Sequence, residues 1–307
     1  MDCAGLIFDD SLHYLDHLAP FCSLARCPLI VCEPEIFEKA RLFYPDLEVK
    51  YIPIWDLKIP KYTIACDGEA LLQAAFPHQS TKVLWLPHGN SDKPFFQGNL
   101  GEVAFVYGQR MVDFMNASGV FPNTIRVGNF RWEYFCKYSR LSGDPQKNSF
   151  LYAPTWDDFQ NHNSFWRAFP LLAASLPKQT DLSVKLHPNT VKKFSPEIEV
   201  LKGKYSNRRN IHFLPDAPPI YPLLAKYEGF IGDMSSIGYD FLAFERPMYF
   251  LNANAHLPLH QCGMPIDPNS FSFELINPFS KAQQKLYQYT FDSKTRWQEE
   301  LYALCRS

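Results

Sequence analysis

The sequence predicts an α/β protein containing two doubly wound, mostly parallel sheets, and three observations carry that expectation. Short apolar runs recur along the chain with helical segments between them. Most of these runs are continuously apolar rather than alternating, as strands buried on both faces are. The alternation stops once, in a polar stretch near residue 145, and then begins again.

In the first series the candidate strands are residues 5–8, 28–32, 49–54, 62–66, 82–86, 103–107 and 125–127, with helices at 11–24, 35–43, 68–75 and 110–117. The segment Ser139-Arg-Leu-Ser-Gly-Asp-Pro-Gln-Lys-Asn148 breaks the pattern with turn residues, which sets the first domain at 1–144 and the second at 145–279. The second series offers strands at 149–153, 182–186, 211–214, 229–231 and 248–251, and helices at 165–175, 220–227 and 236–244. Residues 280–307 form a last segment, expected as one helix to residue 305 with Tyr287, Tyr289, Phe291, Trp297 and Tyr302 spaced along it, packing back on the first domain. No repeat of 20–50 residues and no low-complexity tract interrupts this order.

Composition narrows the function. Of 307 residues, 46% are hydrophobic and 20% charged, which excludes disorder and provides real cores. A net charge of −2 supplies no overall field for nucleic acid or anionic lipid, so a polyanionic partner would have to be held locally. Eight cysteines are scattered without a Cys-x-x-Cys pair, several in apolar runs, as buried thiols of a reducing compartment are. No leader-like apolar segment precedes the first strand, and no run approaches the roughly 20 residues that span a bilayer. These features lead to an expected cytoplasmic protein whose membrane contact, at the inner face of the plasma membrane, is peripheral at most.

The most specific stretch runs from Gly229 to Leu251 and reads as strand, polar turn, helix, strand. Its turn, Asp233-Met-Ser235-Ser236, places two hydroxyls at a helix start on the carboxyl end of a strand, where unpaired N–H groups can cradle a phosphate or diphosphate. The same serines can also serve simply as N-caps. Asp240, in the following helix, is placed to accept hydrogen bonds from ribose hydroxyls or to stand on a solvated face. Pro87-His88-Gly89 follows a strand directly, so His88 stands where open α/β sheets bind ligands, and histidine is the usual base for activating a hydroxyl. Leu186-His187-Pro188 repeats the arrangement in the second series, with Lys185 on the opposite strand face. Tyr152-Ala-Pro-Thr155-Trp156-Asp157-Asp158 adds a hydroxyl, a pocket wall and an acidic pair. That pair could in principle hold a divalent metal, yet it lacks further ligands, so no metal and no cofactor is required.

Taken as an ordered set, Pro87-His88-Gly89, Ala153-Pro-Thr155-Trp156, Leu186-His187-Pro188 and Asp233-Met-Ser235-Ser236 with Asp240 and Arg246-Pro247 resemble the CDP-glycerol glycerophosphotransferase family, which includes teichoic acid primases and polymerases. The resemblance covers roughly residues 82–252, with a weaker likeness around 286–301. It implies a GT-B fold, two Rossmann-like domains facing across a cleft with a C-terminal helix returning to the first. It also implies His88 as catalytic base beside Gly89, His187 assisting at the phosphates, and Thr155, Trp156, Asp233, Ser235, Ser236 and Asp240 on the nucleotide diphosphate side. The implied partners are a CDP-activated polyol donor and an envelope glycan or lipid-linked acceptor, and no nucleic acid. Two positions depart from the family pattern: Asn90 stands where a threonine is common, and Asp157 where an arginine is common. They leave open a GT-B glycosyltransferase using a nucleotide sugar, and a nucleotide-binding relative without turnover; the presence of both histidines argues against the latter.

Overall fold

The computed structural model describes residues 3–92, 99–138, 143–156, 163–215, 219–293 and 296–306. The chain divides into two compact units, one of residues 1–140 with 289–307 and the other of residues 141–288.

In the first unit the strands are β1 (Cys3–Ile7), β2 (Leu29–Val31), β3 (Val49–Tyr51), β4 (Tyr62–Ala65), β5 (Lys82–Trp85), β6 (Val103–Val106) and β7 (Thr124–Arg126). All pair in parallel, in the order β3-β2-β1-β4-β5-β6-β7. From β1 the chain works outward to β3, then returns to the other side of β1 and works outward to β7. This reversal puts the topological switch point between β1 and β4, and a ligand crevice is expected outside their carboxyl ends. The helices are α1 (Leu15–Ala25), α2 (Pro34–Phe43), α3 (Glu69–Ala75), α4 (Gln109–Ala117) and α5 (Phe130–Lys137). Leu6, Ile30, Ala65 and Val83 of the sheet bury against Leu72 of α3 and Phe76 just beyond it.

The second unit repeats the plan with β8 (Gln146–Ala153), β9 (Asp181–Val184), β10 (Ile211–Phe213), β11 (Tyr227–Gly232), β12 (Met248–Phe250) and β13 (Met264–Pro265), in the parallel order β10-β9-β8-β11-β12-β13. Its switch point lies between β8 and β11. The helices are α6 (Phe165–Ser175), α7 (Pro188–Lys193), α8 (Ser195–Tyr205), α9 (Ile220–Leu224) and α10 (Ile237–Phe241), followed by α11 (Ser280–Thr290), in whose last turn the units divide, and α12 (Trp297–Leu304) of the first unit. Phe165, Phe169 and Leu172 of α6 form a core with Phe150, Val184 and Ile231 of the sheet.

Two expected elements are divided. The helix expected at 11–24 begins as a 3-10 turn, Leu12–Tyr14, before α1. The single terminal helix is instead α11 and α12, broken around Asp292, because that carboxylate has other partners: it accepts the Gln109 N–H at the start of α4 at 2.5 Å and pairs with Arg126 at 2.7 Å. A side chain on Gly108 would lie 2.6 Å from both Asp292 Oδ1 and the Thr290 carbonyl, so the glycine admits the break. All eight cysteines are free thiols, six of them buried. Among the described residues no helix is long and apolar enough to cross a membrane.

Among the described residues the first unit contains two buried ion pairs, Arg110–Asp92 and Arg131–Asp16. Arg131 of α5, 2% exposed, donates to Asp16 of α1 at 2.9 Å, and Tyr44 donates to the other carboxylate oxygen at 3.0 Å. Removing one partner of such a pair strands a desolvated charge. Asp16→Ala is expected to destabilise the first unit by about 3–5 kcal/mol, measured by chemical denaturation, whereas the exposed Arg296–Glu299 pair should be replaceable within about 1 kcal/mol.

Candidate functional site

The switch point of the second unit is organised by the Asp233 carboxylate, 2% exposed, at the exit of β11. Its Oδ1 accepts the Thr155 N–H from the exit of β8 at 2.7 Å; its Oδ2 accepts the N–H and hydroxyl of Ser164, just before α6, at 2.9 and 2.7 Å. The Asp233 carbonyl faces His260 Nε2 at 3.1 Å, and since His260 Nδ1 accepts the Asn254 N–H, Nε2 carries the donated hydrogen. Asp233 therefore holds the protein together at this point rather than presenting its oxygens outward.

That anchoring leaves other groups for a ligand. The Ser236 hydroxyl makes no capping bond, and neither it nor that of Ser235 has a hydrogen-bond partner among the described residues. The capping role weighed from the sequence is thus absent. Helix α10 has only five residues and tightens into a 3-10 turn at Leu242–Phe244, so its macrodipole is small, and anion binding here would rest on hydroxyls and backbone N–H groups. Thr155, whose N–H the Asp233 carboxylate accepts, is buried in the loop from β8. From β9, the next strand, His187 caps α7: its Nδ1 accepts the Asn189 N–H at 3.2 Å, which leaves Nε2 as the donor of a neutral ring, and its ring lies 6.4 Å from that of Trp156. Thr155, Trp156, His187, Ser235 and Ser236 thus all stand in the loops that leave three adjacent strands, β9, β8 and β11. Asp240 differs from the expected ribose contact: it is 3% exposed and accepts the Tyr221 hydroxyl at 3.2 Å. Lys185 is buried. Asp157 and Asp158 lie outside the described residues, and among the described residues no cluster of three or more metal-ligating side chains occurs.

In the first unit His88 follows β5, and Gly89 takes φ = 128°, a conformation open to glycine and strained for other residues. The His88 ring reaches solvent yet sits among aromatic rings: His13 at 5.6 Å, Tyr14 at 5.2 Å and His17 at 6.5 Å between centroids. Desolvation by the surrounding protein, reinforced by His13, lowers its pKa to about 4, so the imidazole is an unprotonated acceptor at neutral pH. Tyr14 donates to Asp67 at 3.0 Å, and Asp67, at the exit of β4, is pushed up to about 6 chiefly by desolvation, with Asp9 adding to the rise. Asn90, 1% exposed, has neither carboxamide atom hydrogen-bonded, so the departure at this position is buried beside His88. The sequence reading missed His13, Tyr14, His17 and Asp67. The available signal was polar and aromatic side chains at the exits of β1 and β4, the two strands that flank the switch point.

The family model for CDP-Glycerol:Poly(glycerophosphate) glycerophosphotransferase matches residues 138–299, more than half of the chain. The chain belongs to this family. As a member of this glycerophosphotransferase family it is an enzyme, and the matched span holds Thr155, His187, Ser235 and Ser236, while His88 lies outside it. Among solved structures, the wall teichoic acid polymerase TagF is similar over 99% of this chain and 88% of its own, with 11% identity and a TM-score of 0.67. A TagF variant soaked with CDPG matches over the same shares at 11% identity and a TM-score of 0.61. Anabaena HepE, solved in complex with UDP and glucose, is similar over 100% of both chains, with 10% identity and a TM-score of 0.56. No curated protein sequence matches. These likenesses establish the fold for the whole chain as the α/β class with two Rossmann-like domains that these GT-B-like neighbours share.

Within this glycerophosphotransferase, Asp233 is expected to be indispensable to the second site although it faces inward. Asp233→Ala leaves three buried donors without their acceptor, and unmet buried donors cost about 1–3 kcal/mol each. The variant should lose about 3 kcal/mol or more in urea denaturation; retention of wild-type stability would show that the loop from β8 holds its place without the carboxylate.

Proposed function

We propose that this enzyme transfers a polyol phosphate from a CDP-linked donor to a hydroxyl of an envelope glycan or polyol-phosphate acceptor, releasing CMP. The observation that supports the reading is that, in a member of this family, Ser235 and Ser236, whose hydroxyls have no partner among the described residues, stand at the exit of the strand adjacent to the one that carries Thr155, with His187 at the exit of the next. Oxygen and nitrogen donors are what a diphosphate needs.

In the proposed reaction the acceptor oxygen attacks the phosphorus that bears the polyol, the bond from that phosphorus to the bridging oxygen of CMP breaks, and His88 takes the acceptor proton. A phosphoryl transfer asks little covalent chemistry of the protein, so rate comes from positioning and charge stabilisation. Ser235, Ser236, Thr155 and the His187 Nε2–H hold the diphosphate, Trp156 walls the pocket, and Asp233 and Asp240 position those groups from inside. The free thiols agree with a cytoplasmic setting, and contact with the membrane that carries the acceptor is peripheral.

A second reading keeps the fold and moves a sugar from a nucleotide sugar; the likeness to HepE, solved with UDP and glucose, favours it. Product analysis separates the two, since release of UDP instead of CMP would support the glycosyltransferase.

His88→Ala is expected to lower kcat by roughly 10²–10⁴, the span of general base catalysis, while Ser235→Ala/Ser236→Ala should chiefly weaken binding of CDP-glycerol and CMP in titration calorimetry. Unchanged turnover in folded His88→Ala would remove the base from the scheme.

The pH profile gives an independent check. The base must be unprotonated, and with its pKa lowered to about 4 the rate should persist as pH falls through 6.5. At pH 5 most of the pH 7 value of kcat/KM should remain, whereas a base of ordinary pKa 6.5 would leave about 4% of it. A midpoint near 6.5 would show that the ring is solvated like an ordinary histidine in the working enzyme.

A further inference from the structure

One buried polar connection in the first unit is not accounted for by packing. Tyr107, at the exit of β6, is wholly buried, its ring stacked on Phe130 at 5.4 Å and 9° and met edge-on by Phe291 at 5.7 Å. Phenylalanine would fill that space equally well, and a buried hydroxyl is costly unless it is hydrogen-bonded. The Tyr107 hydroxyl donates to the Pro87 carbonyl at 3.3 Å and lies 2.8 Å from His17 Nδ1. With its one hydrogen directed at Pro87, the tyrosine oxygen accepts the Nδ1–H of a neutral His17. Burial, with Arg131 and the neighbouring histidines, holds His17 well below its ordinary pKa, in keeping with the neutral tautomer.

Pro87 is the residue before His88, and Gly89 after it is in a conformation that lends the turn no rigidity of its own. The direction of the His88 ring is therefore set by what fixes the Pro87 peptide and by what lies against the ring. Both come from the same place: His13, Tyr14 and His17 are contributed by the single segment that follows β1, and Tyr14 is tied to Asp67.

We propose that Tyr107, with His17 behind it, is a positioning residue for the His88 base, pinning the Pro87 carbonyl so that the imidazole points at the acceptor hydroxyl. This rests on the reading of His88 as base. Tyr107 touches no reacting atom; it acts through the turn.

The test is a set of kinetic and spectroscopic measurements on the full chain with Tyr107→Phe, His88→Ala and the double variant. Tyr107→Phe keeps the ring and loses the hydroxyl, so it is expected to fold, and misplacement of a catalytic group should lower kcat by about 10²-fold with the KM for CDP-glycerol within twofold. In the His88→Ala background the same substitution should cost nothing further, because an effect exerted through His88 vanishes with it. An unchanged kcat in Tyr107→Phe, or an equal loss in both backgrounds, overturns the proposal. The imidazole resonances of His88 supply a readout that does not depend on turnover: Tyr107→Phe should shift them and leave His212 and His256 in place. Should His88→Ala turn over like the wild type, the base assignment fails, and unshifted His88 resonances would overturn the positioning role whatever the activity.

Discussion

Almost everything in the second unit's site depends on one carboxylate. Asp233 sits where burying an acidic side chain is most costly, and three hydrogen bonds from Thr155 and Ser164 offset that cost. Because those donors belong to the loop leaving β8 while Asp233 belongs to the turn leaving the adjacent β11, the bonds fix the spacing of two loops that no backbone ladder joins. The serines after Asp233 then project from a fixed base, with Thr155 beside them. A looser attachment would leave the same residue types present without a fixed spacing between them.

The two units show how one topology carries unlike chemistry. Each is a parallel sheet whose strand order reverses once, and in each the carboxyl-end loops beside the reversal gather polar side chains. In the second unit these are hydroxyls and a histidine offering Nε2–H, a set suited to anions. In the first they are a neutral histidine amid aromatic rings with carboxylates at Asp9 and Asp67 nearby, a set suited to accepting a proton from an uncharged hydroxyl and poorly suited to a phosphate. The difference between the units lies in the side chains at equivalent strand exits, not in the fold.

Much of this was legible in the sequence. Continuous apolar runs located the buried parallel strands, and α6 falls where its apolar spacing puts it, from Phe165 to Ser175. His88, His187 and the Asp233–Ser236 turn were found because each directly follows a strand. What escaped depended on contacts distant in sequence. The break between α11 and α12 is dictated by Arg126 and the start of α4, which helical periodicity around Asp292 does not register. The inward direction of Asp233 and Asp240 depends on Ser164, Thr155 and Tyr221, and spacing along one helix cannot reveal it. The surroundings of His88 escaped for the same reason, since His13, Tyr14 and His17 lie in a segment that reads as an ordinary amphipathic helix until β1 and β5 are brought into one sheet.

The break at Asp292 also bears on how the molecule is made. The N–H at the start of α4 is satisfied by a carboxylate 183 residues further along, and Arg126 finds its counter-charge on the same side chain. During synthesis on the ribosome, the whole second unit must emerge before the first can close its own helix start and neutralise that arginine. The start of α4 and Arg126 therefore reach these partners only after the sequence of the second unit has been made.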